Sequence, residues 1–105
     1  MAPIESEVFL GYAKIKKVFK ITKVGKIAGC EITEGVVKRN IKVRLLRDNV
    51  VIHEGDLATL KHHQKEVDEV KEGTECGMSL VNYEDIKEGD LIECFEIKTE
   101  IPTLQ

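Results

Sequence analysis

The residues of this 105-residue chain with the most demanding chemistry are three cysteines, Cys30, Cys76 and Cys94, and three histidines, His53, His62 and His63. A thiol becomes a nucleophile when an imidazole base lies within hydrogen-bond reach, and Cys76 with His62 or His63 could compose such a pair. No local signature of a cysteine hydrolase surrounds either of them. A zinc site needs spaced ligands that share one face; His62 and His63 are adjacent, and the chain has no C-x-x-C pair. The P-loop route to a nucleoside triphosphate needs G-x-x-x-x-G-K-[ST], which does not occur, and Gly25-Lys26 is followed by Ile27, which lacks the hydroxyl for magnesium. No catalytic residue and no metal ligand is assigned, and the chain reads as a binding protein rather than an enzyme.

What remains is a repeated pairing of cysteine with glycine, Gly29-Cys30 and Cys76-Gly77. A glycine within a strand removes a side chain and lets another backbone or a ligand come close. Strands carrying these two pairs would, on meeting, frame a small, soft, apolar hollow.

Apolar residues at 42% and charged residues at 33% describe a single globular domain. An odd number of cysteines argues for a reducing, cytoplasmic setting. No run approaches the roughly 18 apolar residues of a membrane span, and Met1–Ser6 lacks the regions of a signal peptide. The net charge of −3 conceals an asymmetry: residues 1–53 hold 11 Lys+Arg against 5 Asp+Glu, and residues 54–105 hold 5 against 14. Six lysines lie between Tyr12 and Lys26, and Lys38, Arg39, Lys42, Arg44 and Arg47 follow. These runs predict a basic face suited to an anionic partner such as RNA, or solvated strand faces.

The elements that would position these residues are strands. Phe9, Ala13, Ile15, Phe19 and Ile21 alternate with lysines and predict an inward face, with a bulge near Lys17, which falls on the wrong side. Thr22–Gly25 is a turn, and Lys26–Thr33 a second strand ended by Glu34-Gly35. Ile41, Val43 and Leu45 alternate with Lys42 and Arg44, and Asp48-Asn49 joins that strand to Val50–His53 as a hairpin. Leu57–Leu60 is a short strand, Lys61–Glu66 a polar loop, Val67–Val70 a brief strand, and Thr74–Val81 another. Asn82–Lys87 reads as one turn of helix capped by Asn82, and Leu91–Ile97 closes the domain. Glu-Gly at 34–35, 54–55, 72–73 and 88–89 punctuates the strand pairs.

From Val18-Phe19-Lys20 through Gly25–Cys30, Thr33–Arg39, Lys42–Asp48, Val51–Gly55, Leu60-Lys61, Val67–Val70, Glu75–Gly77 and Asp85–Asp90, the chain resembles the carboxy-terminal domain of bacterial translation initiation factor two. That resemblance covers about Phe9 to Ile97. It implies an all-β fold, a small antiparallel β-barrel like the second domain of elongation-factor GTPases with at most one short helical turn. Residues 8–98 would form the barrel, 1–7 a flexible start or linker remnant, and 99–105 a tail.

The resemblance also implies a function: binding the formylmethionyl-adenosine 3′ end of initiator tRNA and promoting its placement on the ribosome. Cys30, Lys61, Glu75, Cys76 and Gly77 match the family's binding pattern; His62 stands where arginine is common, and His63 where tyrosine or phenylalanine is. The expected partners are formylmethionyl initiator tRNA, the ribosome and an upstream GTPase domain of the same protein. The module would be a monomer with no cofactor of its own, GTP and magnesium belonging to that upstream domain. In physical terms, Cys30 and Cys76 could take a thioether by polarizable contact, and Lys61 with His62 a phosphate or ribose. His63 could stack on adenine, while Glu75 should turn outward or receive backbone N–H bonds. The competing reading is a docking barrel that uses its basic faces against rRNA or a protein.

Overall fold

Alternation of apolar and charged residues builds eight strands and, among the described residues, no helix. The computed structural model describes residues 4–22 and 25–100. The strands are β1 (Ile4–Ile21), β2 (Gly25–Lys38), β3 (Lys42–Arg47), β4 (Val50–His62), β5 (Lys65–Glu66), β6 (Glu69–Lys71), β7 (Glu75–Leu80) and β8 (Leu91–Glu100). Their order is β1-β8-β3-β4-β7-β2-β6, and an additional β1–β2 pairing closes six of them into a ring. All named pairings are antiparallel. Closure leaves no free edge within the ring, and the fold is all-β and barrel-like.

The core fills the ring with alternate residues from five strands, Ala13 and Ile15, Cys30 and Ile32, Val43 and Leu45, Cys76 and Met78, Ile92 and Cys94, and with Leu57 and Leu60 of β4, set three apart by a register shift between Leu57 and Thr59. A bulge between Ile15 and Lys17 decides which face the end of β1 presents, because Ile15 pairs with Cys30 but Lys17 pairs with Gly29. Lys16 is the extra residue, and the inward parity shifts by one. Val18 accordingly packs against the core, while Phe19 and Ile21 lie exposed on the outside. Their expected inward placement is thereby corrected; Phe9 is exposed as well.

Several limits also differ from the sequence reading. Strand two runs on through Glu34-Gly35 to Lys38, where Val37 pairs with Val70. Leu57–Leu60 is part of the single long β4, and Lys61–Glu66 is a tight hairpin rather than a loop. Its corner residues His63 and Gln64 both have positive φ (51° and 66°), as do Asp48 and Asn49 (54° and 64°) at the β3–β4 corner that the sequence predicts. Two such residues in succession form the type I′ turn that matches strand twist. The expected helical turn at Asn82–Lys87 is not formed. Asn82 takes φ 53°, Tyr83 bridges back to Leu80 and stacks on His53 at 3.8 Å between ring centroids, and Ile86 is buried. Tertiary contacts, not i→i−4 bonds, hold that segment.

Ile4 to Glu7 pair with Ile97 to Glu100, so strand pairing extends past the 8–98 limits on both sides. The remaining parts of the expected linker and tail, residues 1–3 and 101–105, and residues 23–24 of the expected turn lie outside the described residues.

Candidate functional site

One register row organises the outside of the ring. Gly29 on β2 is the direct partner of Gly77 on β7; Lys17 on β1 pairs with Gly29, and Lys61 on β4 with Gly77. The row Lys17, Gly29, Gly77, Lys61 thus crosses four strands with no side chain at its two middle positions and a cation at each end. Residues two apart along a strand share a face. Phe19 and Ile27, themselves partners, therefore flank the row on one side, and the partners Glu31 and Glu75 on the other.

The result is a hollow of about 520 Å³ lined by Phe19, Ile21, Ile27, Gly29, Cys30, Lys61, His62, His63, Gln64, Glu75, Cys76 and Gly77. All seven residues singled out from the sequence line this one hollow. Cys30 and Cys76 are register partners whose side chains belong to the core beneath the glycine floor. The Cys30 thiol, 1% exposed, donates to the Ala28 carbonyl at 3.5 Å. Burial pushes the Cys30 thiol well above its ordinary pKa, with the neighbouring Cys76 adding to the effect, and burial pushes Cys76 up to about 12. Both stay neutral, and neither is an activated nucleophile.

Around the rim, Lys61 and His62 are half-buried, whereas His63 and Glu75 are exposed. His62 Nδ1 lies 2.8 Å from the Glu75 carbonyl oxygen, which can only accept, so Nδ1 carries the proton and in the neutral ring Nε2 is the acceptor. This bond ties the β4–β5 turn to β7 and sets His63 at the corner, its ring 4.0 Å from that of His62. Glu75 turns toward solvent, one of the two arrangements expected of it.

Sequence reasoning missed Phe19, Ile21 and Ile27 as the apolar wall. The signal was the misplaced Lys17: a bulge that puts Lys17 outside puts Phe19 and Ile21 outside too. Ile27 is 7% exposed yet stands apart from the core cluster.

A second depression, of about 690 Å³, is larger but polar and is lined by Lys26, Thr59, Ser79, Tyr83 and Glu84 among others. There Glu84 Oε1 accepts from the Lys26 amide at 3.3 Å. A carboxylate over Gly25-Lys26 opposes a phosphate, so these residues do not fit a nucleotide cradle. Among the described residues, no cluster of three His, Cys, Asp or Glu could hold a metal ion, and no helix is long and apolar enough to cross a membrane.

Of the two expected basic faces, the one from Lys38 to Arg47 is largely neutralised in space. Arg39 pairs with Asp68 (2.8 Å), Lys42 with Asp56 (2.7 Å), Arg47 with Asp90 (2.8 Å), and Arg44 with Glu7, Glu54 and Glu93. The acidic second half of the chain meets the basic first half. Lys14, Lys16, Lys17 and Lys20 on β1 stay exposed, with Lys16 3.5 Å from Glu31.

The family model of elongation factor Tu domain 2 matches residues 25–93, well over half the chain. The chain belongs to the elongation factor Tu domain 2 family. Within it, the chain is 65% identical over 104 residues to translation initiation factor IF-2 of Paramagnetospirillum magneticum, covering 99% of this chain and 12% of that protein. It is 62% identical over 98 residues to the IF-2 of Rhodospirillum rubrum (93% and 11%), and 59% identical over 104 residues to that of Sinorhizobium medicae (99% and 12%). The chain thus spans little more than a tenth of the length of these curated relatives, and it is similar throughout to one domain of an initiation factor.

Proposed function

We propose that this domain is a non-catalytic binding module of a translation initiation factor, recognising the formylmethionyl-adenosine 3′ end of initiator tRNA and promoting its placement on the ribosome. The observation that carries the reading is the convergence of Cys30, Lys61, His62, His63, Glu75, Cys76 and Gly77 on one largely apolar hollow. The bare backbone at Gly29 and Gly77 can meet the formamide or ester directly. Formylation replaces a cationic amine by a neutral amide, and an ammonium buried in such a hollow costs several kcal/mol. Glu75, solvated at the rim, does little to offset that cost.

Lys61 supplies the cation for the terminal phosphate. His62, with Nδ1 committed to Glu75, offers an acceptor suited to a ribose hydroxyl, and exposed His63 stacks on the adenine. GTP and magnesium are left to a GTPase domain elsewhere in the same protein. The rival reading, docking through basic faces, is weakened at the Lys38–Arg47 face by the ion pairs of Arg39, Lys42, Arg44 and Arg47 and keeps only the exposed lysines of β1.

The test is an NMR titration with a formylmethionyl-adenosine ester analogue and its unformylated counterpart. Shifts centred on Cys30, Lys61, His63 and Glu75 to Gly77 with the formylated ligand alone are expected. Shifts confined to the β1 lysines with an RNA fragment, and none with either ester, would favour the docking reading.

A further inference from the structure

We propose that the bulge in β1 builds a phosphate seat outside the hollow, where Lys14, Lys16 and Lys17 hold the backbone of the RNA strand whose acylated end the hollow takes. This inference rests on the acyl-end reading above and adds a contact beyond the hollow itself. Before the bulge the strand alternates, with Ala13 and Ile15 buried and Lys14 and Lys16 exposed. Continued alternation would turn Lys17 into the core. Because Lys16 is the extra residue and Lys17 pairs with Gly29, Lys16 and Lys17 stand side by side on the outer face, and Lys14 lies on the same face. Three cations thus share about 10 Å of strand.

The strip is open to a polymer. Pairing of β8 with β1 ends at Lys14 and Leu91, and the loop before β8 bonds to β1 at Ile15. Past Ile15, β1 pairs only with β2 among the described residues, so its edge away from the hollow is uncovered. The lysines are also available. Among the described residues Lys14 and Lys17 form no ion pair, and Lys16 has one, to Glu31 at 3.5 Å, between side chains 50% and 42% exposed. Such an exposed pair contributes little, and a phosphate can displace the carboxylate. Glu31 is also the register partner of Lys14, so it works against an anion at both positions. Lys17 joins the strip to the hollow: it ends the row Lys17, Gly29, Gly77, Lys61, and its ammonium stands 5.4 Å from the Phe19 centroid. A strand that leaves the hollow across Lys17 meets Lys16 and Lys14, whereas one that leaves between Glu31 and Glu75 meets two carboxylates. Cations spaced along an extended strand suit an extended polyanion, and their contacts release counterions.

The test measures binding of the 105-residue protein to three probes: formylmethionyl initiator tRNA, a hydrolysis-stable amide-linked formylmethionyl-adenosine, and an RNA hairpin without an acyl group. Each is titrated from about 0.05 to 0.5 M NaCl. The double substitution Lys14→Gln and Lys16→Gln removes two cations that lie outside the hollow. It should weaken tRNA binding about tenfold at low salt and flatten the slope of log K against log salt by about 1.5–2, while affinity for the short analogue stays unchanged. Glu31→Gln should act in the opposite direction and tighten tRNA binding by about two- to fivefold. All three side chains are exposed, so the variants should fold, which NMR spectra check. An unchanged tRNA affinity and slope in the double variant overturns the proposal, leaves the acyl-end reading standing and assigns the lysines to guarding an open strand edge against self-association. An equal loss for the short analogue overturns it too, because the effect then lies in the hollow. A wild type that ignores the short analogue and binds the hairpin as tightly as the acylated tRNA overturns the acyl-end reading and this inference with it.

Discussion

Gly29 and Gly77 face each other directly across β2 and β7, so the two strands that carry Cys30 and Cys76 meet at a point where neither projects a side chain. The two glycines differ in what lies above them. At Gly77 an added Cβ would make ordinary contact with Ile27, whereas at Gly29 it would press on the Phe19 ring. Gly77→Ala should therefore raise stability by about 0.5–1 kcal/mol, since alanine loses less backbone entropy in a strand. Gly29→Ala should gain less or lose, because Phe19 must shift. Thermal melting of the pair checks this, with Gly77→Ala a few degrees higher. Equal midpoints would mean that Phe19 is not seated over Gly29.

The hollow was legible as a set of residues but not as a shape. Cys-Gly pairs at 29–30 and 76–77 announced close backbone approach, and the strands do meet there. The apolar wall was hidden by one inserted residue: with Lys16 bulged out, the parity that puts Ala13 and Ile15 inside puts Phe19 and Ile21 outside. The hairpin at Asp48-Asn49 was readable because both residue types tolerate positive φ and signal turns; the matching corner at His63-Gln64 was not, because glutamine does not favour positive φ and the pair is no turn signature. The helical pattern at Asn82–Lys87 was overridden by the His53–Tyr83 stack and burial of Ile86. The charge asymmetry was visible in sequence, but only the register shows Arg44 opposite both Glu54 and Glu93.

Gln64 occupies the left-handed region at φ 66°, a conformation that costs an ordinary side chain about 1 kcal/mol. Gln64→Gly should relieve that strain and stabilise the β4–β5 corner by up to about 0.5 kcal/mol, net of the glycine's own entropy. Gln64→Val, β-branched, should cost more than 1 kcal/mol. Urea midpoints in that order support a true type I′ turn beneath His63; a stabilising Val would contradict it.

Asp90 is 3% exposed and bound by Arg47 through two bonds, at 3.0 and 2.8 Å, and by the Lys87 amide at 3.0 Å. Burial alone would raise its pKa, but the Arg47 fork and the amide outweigh burial and hold the carboxyl below its ordinary value. A depressed folded pKa contributes stability that is fully present above the unfolded value of about 3.9 and is lost as pH falls through the folded one. Asp90→Asn should cost about 1.5–3 kcal/mol at pH 7. Its stability should also decline less steeply than that of wild type below about pH 4. Parallel stability curves for the two proteins through that range would show that the Asp90 carboxyl does not drive acid unfolding.

Arg44 joins three strands to β3. Its Nε donates to Glu54 at 2.8 Å, Nη1 to Glu93 at 2.9 Å and Nη2 to Glu7, while the guanidinium stacks 4.0 Å above the Phe95 ring. The three carboxylate bonds raise its pKa, and it stays cationic at every accessible pH. Lysine keeps the charge but not the planar fork, so it can serve only part of this set and loses the stack. Arg44→Lys should therefore cost about 1–2 kcal/mol, the worth of one charge-assisted bond. Arg44→Met keeps apolar packing over Phe95 but leaves Glu7, Glu54 and Glu93 facing one another, and it should cost more. The two contributions separate by salt. Repulsion among carboxylates is screened when the Debye length falls to about 3 Å at 1 M salt, whereas packing on Phe95 is not. Urea unfolding of both variants at 0.1 and 1 M NaCl should show the Met penalty shrinking toward the Lys penalty. A Met penalty that persists unchanged in 1 M salt would instead assign the role of Arg44 to its hydrogen-bond geometry and its stack on Phe95.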